Sequence, residues 1–312
     1  MRITALAGGV GGAKLVQGLA EILSPDELTI VVNTGDDFEH LGLYICPDLD
    51  TVCYTLAGIA NPITGWGIRN DTYSTFNALA SLGGPAWFKL GDLDLATHLM
   101  RTYMISQGTR LTEITAQICS KIGVRHPVLP MSDDRVSTQV DTENMGLLPF
   151  QHYFVKNQWK PKVKGFIFKG IEIARPTQEV KQAILTSDAI IFCPSNPFVS
   201  IDPILALRGL RNLVDEKFVL CVSPIIKGRA VKGPLAKIFK ELGYEPSAKA
   251  VIEHYAGIVD CMIIEPDDLN VFKSSDYSSI IIHGADILIK DKSSRIHLAR
   301  KIIEIIKKEI QR

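Results

Sequence analysis

The chain carries no net charge, no cysteine pair at redox or zinc spacing, and no apolar run long enough to span a bilayer. Lys plus Arg number 34 and Asp plus Glu number 34, so no bulk field favours nucleic acid or an anionic membrane. The six cysteines, at 46, 53, 119, 193, 221 and 261, include no C-x-x-C pair. A chain of 312 residues can bury its own core without a disulfide framework. The thiols are therefore expected to be reduced, as in a cytoplasmic protein. The N-terminal apolar stretch is broken at once by glycines, which argues against a leader or an anchor. The seven histidines are scattered, and none sits with cysteine at zinc-ligand spacing. The nucleophile elbow G-x-S-x-G is missing, and no serine lies beside an obvious histidine base, so covalent catalysis has no support. There is no internal repeat and no low-complexity linker.

What is present is concentrated first in residues 1–14, MRITALAGGVGGAK. An apolar run, Ile3 to Ala7, leads into Gly8, Gly9, Gly11 and Gly12 and then Lys14. Strand, glycine turn and helix in that order place a helix N-terminus where a phosphate can sit. The loop departs from both common phosphate fingerprints. Lys14 stands where G-x-G-x-x-G needs its third glycine, and Ala13-Lys14-Leu15 stands where a P-loop needs Gly-Lys-Ser/Thr.

The rest of the chain alternates short β-branched runs with amphipathic stretches. Strands are expected at Ile3–Ala7, Leu28–Asn33, Ala189–Cys193, Phe218–Val222, Cys261–Ile264 and Ser279–His283. Helices are expected at Ala13–Leu23, Ile201–Val214, Leu235–Leu242 and Ser293–Lys308. Near-continuous apolar strands between helices imply a mostly parallel, doubly wound, Rossmann-like α/β sheet covered on both faces. The whole of 1–312 reads as one such domain. Residues from about 50 to 125 form a mainly helical insertion, with helices at Leu49–Ile59, Thr72–Leu82, Leu93–Ser106 and Leu111–Ile122. Following the second strand, it would lie over the carboxyl edge of the sheet, covering the active site. Residues 135–175 read as an irregular, antiparallel segment. The terminal KKEIQR reads as a solvated helix end.

Polar clusters follow four apolar runs: Asn33-Thr34-Gly35-Asp36-Asp37, Pro130-Met131-Ser132-Asp133-Asp134, Pro194-Ser195-Asn196-Pro197 and Ser223-Pro224. In a parallel sheet these ends share one edge, which is where ligands bind. The doublets Asp36-Asp37 and Asp133-Asp134 suit magnesium, which prefers carboxylate and phosphate oxygen. Each doublet is equally a turn or helix-cap feature. Ser195-Asn196 reads as a second phosphate or ribose contact, or as a plain turn. The basic loop 227–234 could neutralise a diphosphate or merely connect elements. Asp48 and Asp50, at a helix start, could be only partners of the helix dipole.

Together, LAGGVGGAKL, NTGDDFEHLGLYICPDLDTVCYTLAG, GWGI, WFKLGDLDLATH, PMSDD, CPSNP and VSPIIKGRAVKGP make the chain resemble the 2-phospho-L-lactate transferase (CofD) family of archaeal deazaflavin-coenzyme biosynthesis. The resemblance covers essentially the whole sequence. It implies transfer of a 2-phospholactyl group from lactyl-2-diphospho-5′-guanosine to the deazaflavin alcohol Fo (7,8-didemethyl-8-hydroxy-5-deazariboflavin). GMP and a glutamate-free precursor of coenzyme F-420 would be the products. Magnesium dependence and a homodimer are implied too, and some relatives use the enolpyruvyl donor instead. By the same resemblance Asp50 and Lys89 contact Fo.

On that reading Gly9, Gly11, Gly12, Ser195 and Asn196 hold the phosphates. Asp36 or Asp37, with Asp133 or Asp134, holds magnesium, and Lys14 or Lys227 stabilises the leaving phosphate. Asp50 orients the attacking hydroxyl or accepts its proton. Two other readings compete. A YvcK-like regulator would bind a nucleotide sugar without turnover. A nicotinamide-dependent oxidoreductase is disfavoured by the missing third glycine and by Asn33, not an acid, closing the second strand.

Overall fold

A computed structural model describes residues 1–230, 233–272 and 280–311. Seven strands form one parallel sheet: β1 (Ile3–Ala7), β2 (Leu28–Val32), β3 (Val128–Pro130), β4 (Ala189–Phe192), β5 (Phe218–Val222), β6 (Cys261–Ile264) and β7 (Ile281–Gly284). Their order is β3-β2-β1-β4-β5-β6-β7, every neighbouring pair parallel. This is the doubly wound α/β arrangement, and its direction reverses between β1 and β4. Pro130, which has no amide to donate, ends the edge strand β3, where a missing ladder bond costs least.

The strands are apolar throughout because both faces are buried. Leu6, Val31, Ile190, Phe192, Val219 and Met262 point into one core, while Ala5, Ala7, Ile30, Val32, Ile191 and Val222 point into the other. The alternation follows the two-residue strand period. Helix α1 (Gly9–Ala20) and the C-terminal helix Lys292–Ile310 cover the second face through Leu15, Val16, Leu19, Leu298, Ile302 and Ile306. All six cysteines are buried and free of disulfides. Among the described residues no helix is long and apolar enough to cross a membrane.

The insertion between β2 and β3 opens with a hairpin, Phe38–His40 against Leu43–Ile45. Helices α2 (Pro47–Leu56), α3 (Ser74–Ser81), α4 (Asp92–Ser106) and α5 (Leu111–Lys121) follow. Residues 135–175, expected to be irregular and antiparallel, contain a three-stranded antiparallel sheet with a register shift at Asp141/Thr142. Its central strand Ser137–Thr142 lies between Gly146–Pro149 and Val163–Lys169.

Other expectations need correction. Helix α1 starts at Gly9, four residues before Ala13. The helix expected over Ile201–Val214 is broken into Asp202–Leu205 and Leu210–Asp215 by Gly209, whose φ of 78° lies outside the helical range. Helices Gln178–Thr186 and Ala248–His254 were not anticipated. Of the segments singled out above, Ser279 in the last strand, Val231 and Lys232 in the basic loop, and Arg312 lie outside the described residues.

Candidate active site

The site forms at the switch point, where the turns after β1 and β4 meet. Ser195 Oγ accepts from the Gly8 amide at 3.0 Å and donates to the Gly8 carbonyl at 2.8 Å. The glycines permit this contact. A Cβ on Gly11 would lie 2.3 Å from the Pro194 carbonyl oxygen, and one on Gly12 would lie 2.5 Å from Ser195 Oγ. Gly11 and Gly12 therefore let two loops close on each other, and Ser195 ties them with both its donor and its acceptor. Asn196 Oδ1 accepts from the Phe198 amide at 3.0 Å and caps the turn that follows.

Helix α1 begins at Gly9, and the first anion at its N-terminus belongs to the protein. The Gly9 amide donates to Asp48 Oδ1 at 2.8 Å, and Asn33 Nδ2 donates to Asp48 Oδ2 at 3.0 Å. Asn33 also donates to the Val199 carbonyl at 3.1 Å and accepts from the Gly35 amide at 2.8 Å. It thus fixes the 33–37 turn against the glycine loop.

That turn buries two carboxylates. Asp37 Oδ1 and Oδ2 and Asp36 Oδ1 are enclosed with no hydrogen-bond partner of good geometry. Burial pushes the Asp36 carboxyl well above its ordinary range, helped by the charges of Asp48 and Asp37. Burial also pushes Asp37 well above it, and the Cys46 thiol and the Arg101 charge oppose that only in part. Burial lifts Asp48 to about 6, against the bonds from Asn33 and Gly9. Asp36 and Asp37 are thus short of donors, while both Asp48 oxygens already accept, and carboxylate oxygen is what a hard divalent cation prefers. Asp36, Asp37 and Asp48 nonetheless do not bring one oxygen each within 4.8 Å of the other two.

Asp133 and Asp134 do not join them. Both are exposed. Asp133 Oδ1 accepts from the amide and the hydroxyl of Thr112, each at 2.8 Å, and so caps α5. Asp134 Oδ2 accepts from the Arg175 amide at 2.9 Å. Among the described residues the one group of three or more possible ligands with atoms within 4.8 Å is Asp50, Asp94 and His98, and Arg101 occupies its centre.

The remaining expected residues surround this core. Lys14 Nζ donates to the Ile289 carbonyl at 3.3 Å. Lys227 is exposed, and its ammonium pairs with Asp267 at 2.5 Å. Lys89 lies 3.8 Å over the Tyr73 ring. Asp50 is buried in a two-pronged pair with Arg101. Beside Lys89 stands an aromatic wall that sequence reasoning missed. Phe38 and Phe88 are 4.8 Å apart, His40 and Trp87 5.1 Å, and Trp87 and His152 4.9 Å. The signal was the Trp-Phe pair directly preceding Lys89.

A family model described as 2-phospho-L-lactate transferase CofD matches residues 3–305. A protein named phosphoenolpyruvate transferase from Streptomyces griseus is 39% identical over 314 residues, spanning 98% of each chain. A 2-phospho-L-lactate transferase from Methanocaldococcus jannaschii is 37% identical over 305 residues, spanning 97% of each. The crystal structure of a UPF0052-family protein from Bacillus halodurans superposes with a TM-score of 0.60 at 15% identity, covering 97% of this chain and 98% of that one. At that identity it shows a shared fold alone.

Proposed function

The chain belongs to the 2-phospho-L-lactate transferase CofD family and is a transferase of coenzyme F-420 biosynthesis, and from that premise we propose how its site works. The group moved is 2-phospholactyl, or its enolpyruvyl counterpart, joined through its phosphorus to GMP in the donor and delivered to the terminal ribityl hydroxyl of Fo. The new bond joins that hydroxyl oxygen to phosphorus, the bond to the GMP oxygen breaks, and the hydroxyl proton is lost. Such a transfer depends on alignment and charge neutralisation more than on a covalent intermediate. One observation carries the reading. A helix N-terminus capped by Asp48 and the partnerless buried carboxylates of Asp36 and Asp37 sit at the switch point of the sheet.

The α1 N-terminus and the turns of Gly9, Gly11, Gly12, Ser195 and Asn196 shape the diphosphate side. Asp36, Asp37 and Asp48 would hold magnesium, which when bound would offset the phosphate charge. Lys14, on α1, and Lys227, in the basic loop, would each have to leave its present partner to act on the leaving group. Asp50 orients the attacking hydroxyl, while Lys89 and the Phe38, Trp87, Phe88 and His152 wall receive the flat deazaflavin.

Relatives named for each donor type match this chain at nearly equal identity, 39% and 37%. Both donors therefore belong in the assay. The relatives include a Streptomyces protein, so the family extends beyond the archaea. A homodimer in the cytoplasm completes the proposal. The exposed Leu93, Leu99, Met100 and Tyr103 on α4 support the dimer.

The test is GMP release from each donor, with and without Fo, in magnesium and in EDTA. Release that requires both Fo and magnesium supports the proposal. Donor binding without release would move the chain to the non-catalytic nucleotide-binding class.

A further inference from the structure

A helix on the surface of a soluble protein normally turns its apolar stripe inward. Helix α4 departs from this, with Met104 the one fully apolar side chain on an otherwise polar inward face. Asp94, His98 and Arg101, spaced four and three residues apart on one face, are buried, while Leu93, Leu99, Met100 and Tyr103 are exposed. Asp50 on α2 meets the inward charge. Arg101 Nη1 donates to Asp50 Oδ2 at 3.1 Å, and Nη2 donates to Oδ1. Among the described residues Arg101 is the only Lys or Arg that is buried.

The chain of contacts continues behind the guanidinium. Arg101 Nη1 lies 3.2 Å from His98 Nδ1. A guanidinium can only donate, so Nδ1 must be the acceptor and the ring proton sits on Nε2. That atom lies 3.3 Å from Asp94 Oδ1 without hydrogen-bond geometry, and the same oxygen accepts from the Tyr54 hydroxyl at 2.8 Å. Arg101 is thus held between Asp50 and His98, with Asp94 close behind the imidazole. A carboxylate has about four lone-pair sites, and the fork takes two, leaving the others free for a hydroxyl donor.

We propose that Arg101, backed by His98 and Asp94, is a positioning residue that holds Asp50 in the one orientation from which it receives the acceptor alcohol. The inference rests on the transferase reading above and adds to it the device that aims Asp50. Lysine in its place keeps the charge but loses the two-pronged geometry.

The experiment compares wild type with Arg101→Lys, Asp50→Asn and the double variant, reading steady-state turnover and binding of Fo by its own fluorescence. Guanosine diphosphate titration reports the donor side, and circular dichroism reports the fold. Arg101→Lys is expected to lower kcat/KM for Fo about 100-fold, as a misplacement of about 1 Å does. The donor KM and guanosine diphosphate binding should stay at wild-type values, and the double variant should lose no more than Asp50→Asn alone. Arg101→Ala should regain part of its Fo turnover when guanidinium is added. Unchanged Fo kinetics in Arg101→Lys would overturn the proposal. So would a loss shared equally by the donor, or losses that multiply in the double variant. If wild type itself fails to bind Fo, the transferase reading falls instead, an outcome distinct from any pattern among the variants.

Discussion

The Gly9 amide donates to Asp48 at 2.8 Å, so the helix N-terminus offered to a phosphate already faces a carboxylate of the protein itself. A second anion at that end is repelled by Asp48 unless a cation or a proton offsets the charge. The relationship ties the glycine loop to Asp36 and Asp37, both of which feel the Asp48 charge. On the proposed reading, phosphate and metal would bind at this edge together.

The loop contact gives the first prediction. Alanine at Gly11 would place its Cβ 2.3 Å from a backbone oxygen that cannot rotate away. Gly11→Ala should cost about 1–3 kcal/mol through the forced shift. Ser195→Ala should cost a similar amount, about 1–3 kcal/mol, because the buried Gly8 amide loses its acceptor. Urea unfolding measures both. For Ser195, a rise in donor KM with stability unchanged would show instead that its hydroxyl serves the phosphate.

The carboxylate cluster gives the second. Asp36, Asp37 and Asp48 titrate higher in the folded chain than in the unfolded one. The folded state therefore binds more protons over that interval. Asp48's share of stability is complete below about pH 4 and is lost as pH rises through about 6. Without divalent cation the melting temperature should fall between about pH 5 and about pH 7.5. Millimolar magnesium should reduce that fall, since the ion takes the place of the protons. Asp37→Asn should melt higher than wild type without metal and gain less from magnesium. An equal magnesium gain in wild type and Asp37→Asn would remove Asp37 from the donor set.

Asp133 supplies the contrast. Its carboxylate caps α5 through Thr112. Asp133→Asn should cost at most about 1 kcal/mol, the scale of a helix cap. Its magnesium response should match wild type in the same thermal scan. Loss of that response would restore the pairing of the two aspartate doublets.

These outcomes bear on how much of the molecule was legible in its sequence. Ile3–Ala7, Phe218–Val222 and Cys261–Ile264 could be read to the residue, because burial on both faces demands an unbroken apolar run. Gln178–Thr186 could not, since only Val180 and Ile184 of its nine residues are buried. Asp48 was visible only as an acid in a first turn, which looks the same whether it faces water or a glycine loop. The 94, 98, 101 face of α4 was hidden by a sound rule. Hydrophobic periodicity assigns the apolar stripe to the core, and here the buried partner is a carboxylate.

The same inversion carries the last prediction. Fifteen residues of α4 span about 22 Å at 1.5 Å per residue, and their apolar side is turned outward. A stable interface needs roughly 800 Å² from each partner, more than one helix face supplies. Ile63 and Leu82 of the same insertion, 91% and 87% exposed, add apolar surface of the kind an interface uses. In light scattering the native protein should therefore run as a dimer at micromolar concentration. Met100→Glu should run as a monomer, because a buried unpaired charge at the seam is costly. Met100 points away from Arg101 and Asp50, so the monomer should still bind guanosine diphosphate. A native protein that is monomeric at every accessible concentration would leave the outward stripe of α4 without a second copy to cover it.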